Sequence, residues 1–582
     1  MRIIYLLLTL IVISGCNSAG FSTDEDNDLL EEVRAMFRSD AFWEAFDINQ
    51  APRSAPFSRG VNFSAWFETN SAGSIPFTKY TEQDFIDAKN LGVDVIRLPV
   101  KMHSMTNGAP NYIIDPLLIR FLDIAVDWAE KHGLYIIIDN HSFDPVLPTS
   151  NDIDRILLPV WDQIARHFKN RSSLVLYEIL NEPHGISDAR WGEVQGRAIE
   201  TIRRHDPQRL IIVGGTDYNS IRKLSALPRY ADNHLIYTFH FYDPHLFTHQ
   251  GANWGEPSLE RLANVPFPHS VNGISRAMPR TPSNLIGTWV EGALSNYRRD
   301  AEFRNLNNSL ERVIEFARER NVPVFCGEFG VYMVNSKRTD RILWYDFVAR
   351  SLNKRNISWT SWDYYGGFGI FNSQNGSFAH DVNIDLVSAM GFNPPAQTQR
   401  EERILNTGFQ IYDDYPNREY VSVSSWGDYD FTLYETNRVN GDFAIRWANP
   451  DQYNSFSFDF DISRRDFSSL YRDGFVLEFK ARASGQARFD VRFVNGESGS
   501  SIPWRMRYTI DERILVPDGN WHTIRIPLRN MQEHGAWISS TSRWMAPQGD
   551  FSWNSIYRMD FVSEHGDLSG VQIWFDDIRI TN

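Results

Sequence analysis

The sequence predicts an α/β (β/α)₈ barrel followed by an all-β jelly-roll sandwich, and three observations support this fold class. Over residues 59–370, short apolar runs alternate with amphipathic stretches, which is typical of repeated βα units. The alternation stops at a proline-rich polar stretch near residues 392–398. Beyond that stretch, apolar residues recur at every second position, as in antiparallel strands. The chain of 582 residues therefore contains at least two folded units.

Eight apolar runs in the first part have the length of buried strands. In chain order they are residues 60–63, 93–98, 134–139, 174–180, 210–213, 235–241, 322–325 and 357–362. Helices follow most of them. Asp115 and Pro116, for example, predict the start of a helix with Leu118, Phe121 and Leu122 on one face. Eight βα units fit a barrel of roughly 250 residues that carries loop insertions, such as residues 243–300.

The same patterns divide the chain into five segments. Alternation such as Phe489-Asp490-Val491-Arg492-Phe493 favours a jelly-roll sandwich for the last segment. The predicted segments are a signal peptide (1–16), a tether and N-terminal extension (17–54), the barrel (55–392), a linker (393–403) and the sandwich (404–582).

Composition excludes several classes of function. A net charge of −15 disfavours nucleic acid and anionic lipid surfaces as partners. The two cysteines cannot form a disulfide framework or a cysteine-rich zinc site. Aromatic residues make up 14% of the chain, including 18 tryptophans, and these rings suit stacking on a ligand as well as core packing.

The N-terminus predicts export. Residues 3–13 are almost wholly apolar, but the run is shorter than the roughly 20 residues that span a bilayer. The following Ser14-Gly15-Cys16 resembles the lipobox of bacterial lipoproteins. This resemblance implies lipidation of Cys16 and a lipid-anchored protein of the cell envelope, at the outer membrane or cell surface. An ordinary secretory signal is the alternative. Residues 17–30 are polar and acidic and indicate a tether.

Barrel enzymes carry their reactive groups where strands end, and polar residues stand at several predicted strand ends. Glu182 follows the fourth strand and Glu328 the seventh, so that they face each other across the barrel mouth. Such a carboxylate pair, without a metal-ligand cluster, suits cleavage of an acetal. The remaining candidates are Arg97, His141, Asn181, His240, Tyr242 and Trp362.

At these residues the sequence resembles glycoside hydrolase family 5, which includes many endoglucanases and mannanases. The resemblance covers residues 55–390. Its most specific pieces are Arg97 after Val95-Ile96, Ile179-Leu180-Asn181-Glu182-Pro183, His240-Phe241-Tyr242 and Gly327-Glu328-Phe329-Gly330.

The resemblance implies a role for each candidate. Glu182 is expected to be the acid/base and Glu328 the nucleophile, with Asn181 bonded to the 2-hydroxyl of the sugar that is cleaved. Arg97 is expected to keep Glu328 ionised and Tyr242 to orient it. The pocket lining is expected to include His141, His240 and, as a floor under the sugar ring, Trp362.

Structural roles are the alternatives to these assignments. Asn181-Glu182-Pro183 could begin a helix, and Glu328 could be a buried acid paired with Arg97. Gly327 and Gly330 favour a ligand at Glu328, because glycine permits close approach. Glu178 lies one layer deeper and suits a structural hydrogen bond. Three further aromatic residues could serve sugar subsites or pack loops: Trp254, Tyr365 and Phe368.

The C-terminal segment ends with Trp574-Phe575-Asp576-Asp577-Ile578, which resembles carbohydrate-binding β-sandwich modules. Trp521 and Trp574 lie within alternating strands and are expected in the core. Trp504, Trp537 and Trp544 lie near turns and are candidates for stacking on sugar. A structural calcium could join Asp413, Asp414, Asp576 and Asp577, with solvated turn carboxylates as the alternative.

The carboxylate pair, together with what the family resemblance implies, favours a retaining, endo-acting β-glycosidase on polysaccharide, with β-1,4-glucan as the first choice of substrate. Catalysis by two carboxylates needs no cofactor or metal. Mannanase, xylanase, exo-glucanase and transglycosylase activities remain open on the same scaffold. The alternative from another class is a non-catalytic glycan-binding surface lipoprotein, against which the presence of both glutamates argues.

Overall fold

The computed structural model describes residues 24–271, 273–374, 376–400, 404–427, 429–496 and 502–582. The predicted signal peptide and Cys16 therefore lie outside the described residues. The chain divides into two compact units. The first comprises residues up to Glu68 together with Glu82–Gln397, and the second comprises Thr69–Thr81 together with Thr398–Asn582.

Eight parallel strands close the first unit into a barrel, which confirms the predicted fold class. Neighbours in the barrel are neighbours in the chain, and β1 pairs with both β2 and β8 to close the circle. The strands are β1 (Arg59–Asn62), β2 (Val95–Val100), β3 (Tyr135–Asn140), β4 (Val175–Glu178), β5 (Ile211–Gly214), β6 (Leu235–Phe241), β7 (Val324–Phe329) and β8 (Ser358–Ser361).

Two strand ends differ from the prediction in a way that matters for the site. The seventh strand extends to Phe329, so that Glu328 lies within β7. The fourth strand stops at Glu178, which places Asn181 and Glu182 in the following loop. One candidate glutamate, Glu328, is therefore held by a strand, and the other, Glu182, by a loop.

Helices connect and flank the strands. The helix that begins at Pro116 is capped as predicted, since Asp115 Oδ1 accepts a hydrogen bond from Leu117 N at 2.9 Å. The helices are α1 (Asp24–Arg38), α2 (Asp40–Glu44), α3 (Glu82–Asn90), α4 (Pro116–Lys131), α5 (Asp154–Phe168), α6 (Asp188–Arg203), α7 (His245–Thr248), α8 (Trp289–Asp300), α9 (Phe303–Arg320), α10 (Arg338–Lys354) and α11 (Ile384–Ala389).

The prediction of a polar tether over residues 17–30 is wrong from Asp24 onward, because α1 is a helix that packs on the barrel. Val33 and Phe37 are buried, and Arg34 Nε donates to Asp346 Oδ2 of α10 at 3.2 Å. The apolar positions of α1 recur at helical spacing between exposed acidic residues. The acidic composition concealed this spacing at the sequence level. Within the described part of the chain, the structure shows no helix long and apolar enough to cross a membrane.

The second unit consists of antiparallel sheets, as predicted. One sheet has the order β11-β12-β21-β14-β17 with β9 on β21, and the other has the order β10-β13-β20-β15-β16-β18-β19. The strands are β9 (Phe409–Tyr412), β10 (Val421–Trp426), β11 (Asp430–Glu435), β12 (Ala444–Ala448), β13 (Ser455–Phe460), β14 (Val476–Ala483), β15 (Phe489–Asn495), β16 (Arg505–Ile510), β17 (His522–Pro527), β18 (Gln532–Ile538), β19 (Arg543–Met545), β20 (Ile556–Val562) and β21 (Gln572–Thr581).

Aromatic residues from both sheets form the core of this unit. The centroid of the Phe561 ring in one sheet lies 4.7 Å from the ring centroids of Phe456 and Phe575. Phe575 belongs to the opposite sheet. The single α-helix described in this unit, α12, spans Ser468–Asp473. Alternating aromatic residues thus face inward between the two sheets, which accounts for the period-two pattern of the sequence.

The segment Thr69–Thr81 groups with the sandwich although its sequence position lies between β1 and α3 of the barrel. The Tyr434 hydroxyl of β11 donates to Ile75 O at 2.5 Å and accepts from Phe77 N at 3.1 Å. The predicted barrel domain of residues 55–392 included this segment. Sequence position alone could not reveal that its hydrogen-bond partner lies more than 350 residues away.

Candidate active site

The two glutamates lie at the C-terminal mouth of the barrel and close to each other. An oxygen of Glu182 and an oxygen of Glu328 lie within 4.8 Å of each other, and a ring nitrogen of His240 lies within the same distance of both. In the described part of the chain, these three form the one group of His, Cys and carboxylate side chains with the spacing of an ion site. The opposed carboxylates are thus available either to a cation or to a substrate between them.

Glu328 accepts two hydrogen bonds, one from a guanidinium and one from a phenol. Arg97 Nη1 donates to Oε1 at 2.8 Å, and the Tyr242 hydroxyl donates to Oε2 at 2.9 Å. Burial raises the pKa of Tyr242 well above its ordinary value, and the charge of Glu328 adds to this effect, so the phenol stays protonated and donates. A guanidinium and a phenol at these distances stabilise a carboxylate.

Arg97 is fully buried at the centre of a cluster of acidic groups. Its Nε donates to Glu178 at 2.7 Å, and its Nη2 lies 3.0 Å from Asp139 Oδ2. Burial alone would lower the pKa of Arg97, but Asp139, Glu178 and Glu328 raise it above the ordinary value. Burial raises the pKa of Glu178 to about 7. Glu178 therefore keeps its proton to a higher pH than an ordinary glutamate does.

Glu182 has a different environment. Its backbone φ of 46° lies in the left-handed region, which non-glycine residues seldom adopt. Its Oε1 lies 2.6 Å from His240 Nδ1, and Asn219 Nδ2 lies 3.4 Å from His240 Nε2. Burial lowers the pKa of His240 to about 4, so the imidazole beside Glu182 is neutral. Burial raises the pKa of Glu182 to about 7, although His141 and Arg97 act in the opposite direction.

Asn181 offers a donor to the mouth. Its Oδ1 accepts from Arg97 Nη2 at 2.8 Å, while its buried Nδ2 has no hydrogen-bond partner among the described residues. Because a buried amide nitrogen without a partner is costly, this group is suited to a ligand oxygen.

His141 and Trp362 form a stacked pair at the mouth. Their ring centroids are 5.5 Å apart and their planes differ by 12°. Burial alone would lower the pKa of His141, but Asp139 at 2.7 Å and Glu68 at 3.8 Å outweigh it and raise the pKa to about 9. The imidazole is therefore cationic at neutral pH and lies parallel to the indole face, as in cation–π pairs.

All eight sequence-predicted residues of the barrel lie in this region, and the structure adds others that sequence reasoning missed, among them Asp139 and Asn219. Asp139 contacts both Arg97 and His141, and Asn219 contacts His240. Asp139 precedes His141 by two positions at the end of β3 and therefore shares its side of the strand. The spacing of two residues from His141 could have identified Asp139 from the sequence. Nothing in the local sequence indicated Asn219.

The two glycines around Glu328 are needed for packing, and not for the close approach of a ligand that the sequence predicted. A Cβ on Gly327 would lie 2.8 Å from Thr238 Oγ1, and a Cβ on Gly330 would lie 2.4 Å from Trp362 O. The protein itself occupies this space. Both glycines allow β7 to pack against its neighbours.

The three additional aromatic residues separate into two groups. Tyr365 and Phe368 are buried, and the Tyr365 hydroxyl donates to Asp84 Oδ1 at 2.8 Å, so both serve loop packing. Trp254 is exposed, and its ring is perpendicular to that of Tyr332 at 4.9 Å. Trp254 alone among the three presents a ring face to solvent.

The candidate tryptophans of the second unit differ in their exposure to solvent. Trp504 is buried, which excludes it as a stacking surface in this structure, whereas Trp537 and Trp544 are 42% and 40% exposed. The last two lie opposite each other on β18 and β19. Trp574 is buried as predicted and Trp521 is partly exposed.

Two of the four carboxylates predicted for calcium accept hydrogen bonds from the backbone. Asp414 Oδ1 accepts from Phe443 N at 2.9 Å, and Asp576 Oδ2 accepts from Val439 N at 2.8 Å. Asp577 Oδ1 accepts from Gln410 Nε2 at 3.1 Å. The calcium site stays a prediction.

Comparison with known proteins gives matches to both units. Residues 56–367 match the model of cellulase (glycosyl hydrolase family 5), and residues 412–582 match carbohydrate binding domain 30. Endoglucanase H of Acetivibrio thermocellus is 26% identical over 478 residues, which cover 78% of this chain and 46% of that protein. The chain thus spans less than half the length of this relative.

Two further matches cover the barrel. Endoglucanase C of Acetivibrio thermocellus is 27% identical over 344 residues, which cover 56% of this chain and 97% of that protein. The crystal structure of endoglucanase Cel5A from Thermotoga maritima shares 26% identity with a TM-score of 0.47, and the match covers 57% of this chain and 96% of that one. The family model spans more than half of the chain and includes both opposed glutamates. The chain therefore belongs to glycosyl hydrolase family 5, with a C-terminal carbohydrate-binding domain of family 30.

Proposed function

We propose that the protein is an endo-acting β-1,4-glucanase that cleaves with retention of the anomeric configuration. The observation that carries the proposal is the opposed pair Glu182 and Glu328, with oxygens within 4.8 Å of each other. Retaining glycosidases hold their carboxyl groups about 5 to 5.5 Å apart, whereas inverting enzymes need about 6.5 to 9.5 Å to admit a water molecule. The spacing supports direct attack by a carboxylate.

Glu328 is the proposed nucleophile. The hydrogen bonds from Arg97 and Tyr242 favour its ionised state and fix the direction of its oxygens. In the first step a Glu328 oxygen forms a bond to the anomeric carbon, and the bond from that carbon to the leaving oxygen breaks.

Glu182 is the proposed acid/base. With a pKa raised to about 7, much of it carries a proton near neutral pH and can protonate the leaving oxygen. In the second step the resulting carboxylate takes a proton from water. The water oxygen bonds to the anomeric carbon, and the bond to Glu328 breaks. Glu182 then holds a proton again and Glu328 is ionised again.

The groups around the pair suit a sugar ring. The unpartnered Asn181 Nδ2 can donate to a hydroxyl beside the anomeric carbon. Trp362 offers a partly exposed indole face held by His141. Apolar C–H faces of a sugar pack on such a ring. These groups support Trp362 as the floor under the sugar that is cleaved.

The names of the similar proteins support the choice of substrate. Both relatives from Acetivibrio thermocellus are endoglucanases, and the family model is that of cellulase. The test is a panel of soluble cellulose derivative, mixed-linkage glucan, β-1,3-glucan, mannan and xylan, with viscosity and reducing ends followed together. We expect rapid loss of viscosity on β-1,4-linked glucan. Preference for mannan or xylan, or reducing ends without viscosity loss, would contradict the proposal.

We further propose that the sandwich holds the enzyme on polysaccharide. The match to carbohydrate binding domain 30 and the exposed pair Trp537 and Trp544 support this role. A tethered second site raises the effective substrate concentration without altering the chemical step. In the full chain, replacement of both tryptophans by alanine is expected to reduce sedimentation with insoluble glucan while cleavage of soluble oligosaccharides persists.

We also propose that Cys16 carries a lipid that anchors the protein to the cell envelope. The proposal rests on the resemblance of Ser14-Gly15-Cys16 to a lipobox. Mass spectrometry of the mature N-terminus is expected to find lipid on Cys16, and Cys16→Ala is expected to abolish it. An unmodified N-terminus at another residue would contradict the anchor.

A further inference from the structure

A cluster of arginines lies on the outer face of the seven-stranded sheet of the sandwich, and none of the roles above uses it. On β15, Asp490 and Arg492 alternate with core residues, so they point away from the core. Arg505 of β16 pairs with Val494, the next outward residue of β15, and therefore shares this face. The members of the arginine cluster are Arg492, Arg505, Arg507 and Arg558.

Three arginines of the cluster have a carboxylate partner, and Arg505 differs from them. The pairs are Arg492 with Glu564, Arg507 with Asp490 and Arg558 with Asp560. Among the described residues, Arg505 has neither an ion pair nor a hydrogen bond, and its Nε is buried. A buried polar group without a partner destabilises the fold, and the effect is larger for a charged group. Arg505 is therefore suited to a ligand that supplies a partner.

The charges around Arg505 do not compensate for its burial. Burial lowers the pKa of Arg505 to about 10, and the charges of Arg492 and Arg558 act in the same direction. Asp560 and Glu564 act in the opposite direction, but each of them already has an arginine partner. At neutral pH the guanidinium still carries its positive charge. An anion beside it would therefore be stabilised.

An exposed tryptophan lies over the same arginine. The guanidinium carbon of Arg505 is 5.7 Å from the ring centroid of Trp544, and this residue is 40% exposed. Gly535 of β18 pairs with Arg505, and a Cβ on this glycine would lie 3.0 Å from Trp544 Cζ2. The glycine thus leaves room for the indole to reach the arginine. The face therefore places a planar apolar surface beside a cationic group.

The shape of the guanidinium favours a carboxylate as the ligand. Its N–H groups form a planar fork that matches the two oxygens of a carboxylate, and such charge-assisted pairs are stronger than bonds to neutral groups. The hydroxyls of a neutral sugar would accept hydrogen bonds but would leave the charge uncompensated. In a uronic acid the carboxylate is attached directly to the sugar ring. A ring packed on Trp544 can therefore place this group at Arg505.

We propose that the outer face of this sheet binds a uronic acid residue of a β-linked polysaccharide, with the carboxylate on Arg505 and the sugar ring on Trp544. This inference rests on the proposed role of the sandwich in holding the enzyme on polysaccharide, because it names the chemistry of that ligand. The barrel and the sandwich can bind different chains of one material. Tethering to the acidic chain then raises the effective concentration of the glucan that accompanies it.

The negative charge of the whole chain does not prevent this binding. A net charge of −15 repels polyanions at long range. At physiological salt, however, interactions between exposed charges are largely screened beyond about 8 Å. The contacts at Arg505 are shorter than this and partly buried, so they decide whether a carboxylate binds.

Two ligands that differ only at C6 test the inference. Oligosaccharides of β-1,4-linked glucuronic acid have the backbone of β-1,4-glucan oligosaccharides of the same length, with a carboxylate in place of the hydroxymethyl group. Binding of both is measured by calorimetry on the full chain with Glu328→Gln, which prevents cleavage during the titration. We expect the glucuronic acid oligosaccharide to bind at least about tenfold more tightly, the effect of one charge-assisted pair.

Substitutions of Arg505 separate its charge from its fork. Arg505→Ala is expected to remove the preference for the glucuronic acid oligosaccharide, while the affinity for the glucan oligosaccharide changes less than about threefold. Arg505→Lys keeps the charge without the fork and should retain only part of the preference. If Arg505→Ala does not fold, as judged by circular dichroism, Arg505→Gln replaces it, since glutamine keeps part of the stem and an N–H donor without the charge.

The chain offers a matched control in Arg472 of α12, whose side chain is 70% exposed. Arg472→Ala changes the net charge by the same amount and should keep the native preference. Equal binding of the two oligosaccharides before any substitution of Arg505 would overturn the inference. A preference that survives in Arg505→Ala, or that is lost equally in Arg472→Ala, would also overturn it.

The proposed role of the sandwich is tested separately by replacement of both Trp537 and Trp544 with alanine. If this replacement leaves the affinities for both oligosaccharides unchanged, the sandwich does not hold these glycans, and the inference fails together with that role. If the replacement weakens binding of the glucan oligosaccharide but the native preference for glucuronic acid is absent, the role stands and the inference alone is wrong.

Discussion

The loop after β4 and the strand β7 each contribute one glutamate to the barrel mouth, and the two lie in contrasting surroundings. Both glutamates are largely buried, yet Glu328 receives hydrogen bonds from a guanidinium and a phenol, whereas Glu182 lies against a neutral imidazole. Burial raises the pKa of Glu182 to about 7. The comparison teaches that two largely buried carboxyl groups of one site can differ in the side chains that bond to them, a guanidinium and a phenol in one case and a neutral imidazole in the other.

The largest expected effect follows replacement of Glu328, the proposed nucleophile. Glu328→Gln keeps the shape of the side chain but not its charge, so no glycosyl ester can form. We expect activity on any substrate to fall by about 10⁴-fold or more. Initial rates on a soluble glucan and on an aryl cellobioside would check this, with circular dichroism as the folding control. A loss below about tenfold would mean that Glu328 is not the attacking group.

The second effect separates Glu182 from Glu328. Glu182→Gln cannot protonate a leaving oxygen, and we expect a loss of about 10² to 10⁴-fold on polysaccharide. Aryl glycosides with acidic phenols need little protonation, so their first step should be affected much less. Equal losses on the two substrates would remove the distinction between the two carboxyl groups.

The third prediction concerns stability against pH. A carboxyl with a raised pKa binds its proton more tightly in the folded state, so its favourable contribution is complete below about pH 4.5 and is lost as the pH rises through about 7. Glu182→Gln removes this dependence. Relative to the native protein, the variant should therefore gain about 3 kcal/mol in free energy of unfolding between pH 4 and pH 8. Urea unfolding at both pH values measures it, and an equal difference at the two would contradict the raised pKa.

The smallest effect comes from the hydrogen bond of Tyr242. Tyr242→Phe removes a donor to the charged form of Glu328, and we expect kcat to fall about ten- to hundredfold. Tyr365→Phe is a matched control, since it removes a buried tyrosine hydroxyl that bonds to Asp84 away from the two carboxyl groups. Comparable kcat values for the two variants would show that Tyr242 does not act through Glu328.

Much of the barrel could be predicted because its signals are local. Strand runs, helix caps and polar strand ends all occur within a few residues, and the closed topology then brings distant ends together. This is why Glu182 and Glu328 could be paired from the sequence, whereas Arg97 and Tyr242 could be placed beside Glu328 only through the family resemblance.

The features that escaped prediction depend on partners far along the chain. The position of Asn219 in the site follows from its contact with His240. The grouping of Thr69–Thr81 with the sandwich follows from the hydrogen bonds of this segment to Tyr434. The helix α1 was not predicted, because the acidic residues on its exposed side are more numerous than the few apolar residues on its buried side. Gly327 and Gly330 were assigned to ligand approach because sequence cannot show that Thr238 and the Trp362 carbonyl fill the space.

The central claim, that Glu328 attacks while Glu182 transfers protons, is tested most directly by the configuration of the first product. Two successive displacements at the anomeric carbon restore the starting configuration. Proton NMR during early hydrolysis of a soluble β-1,4-glucan oligosaccharide should therefore show the β-anomer first, followed by slow mutarotation. Appearance of the α-anomer first would mean a single displacement by water, and Glu328 could not then be the nucleophile.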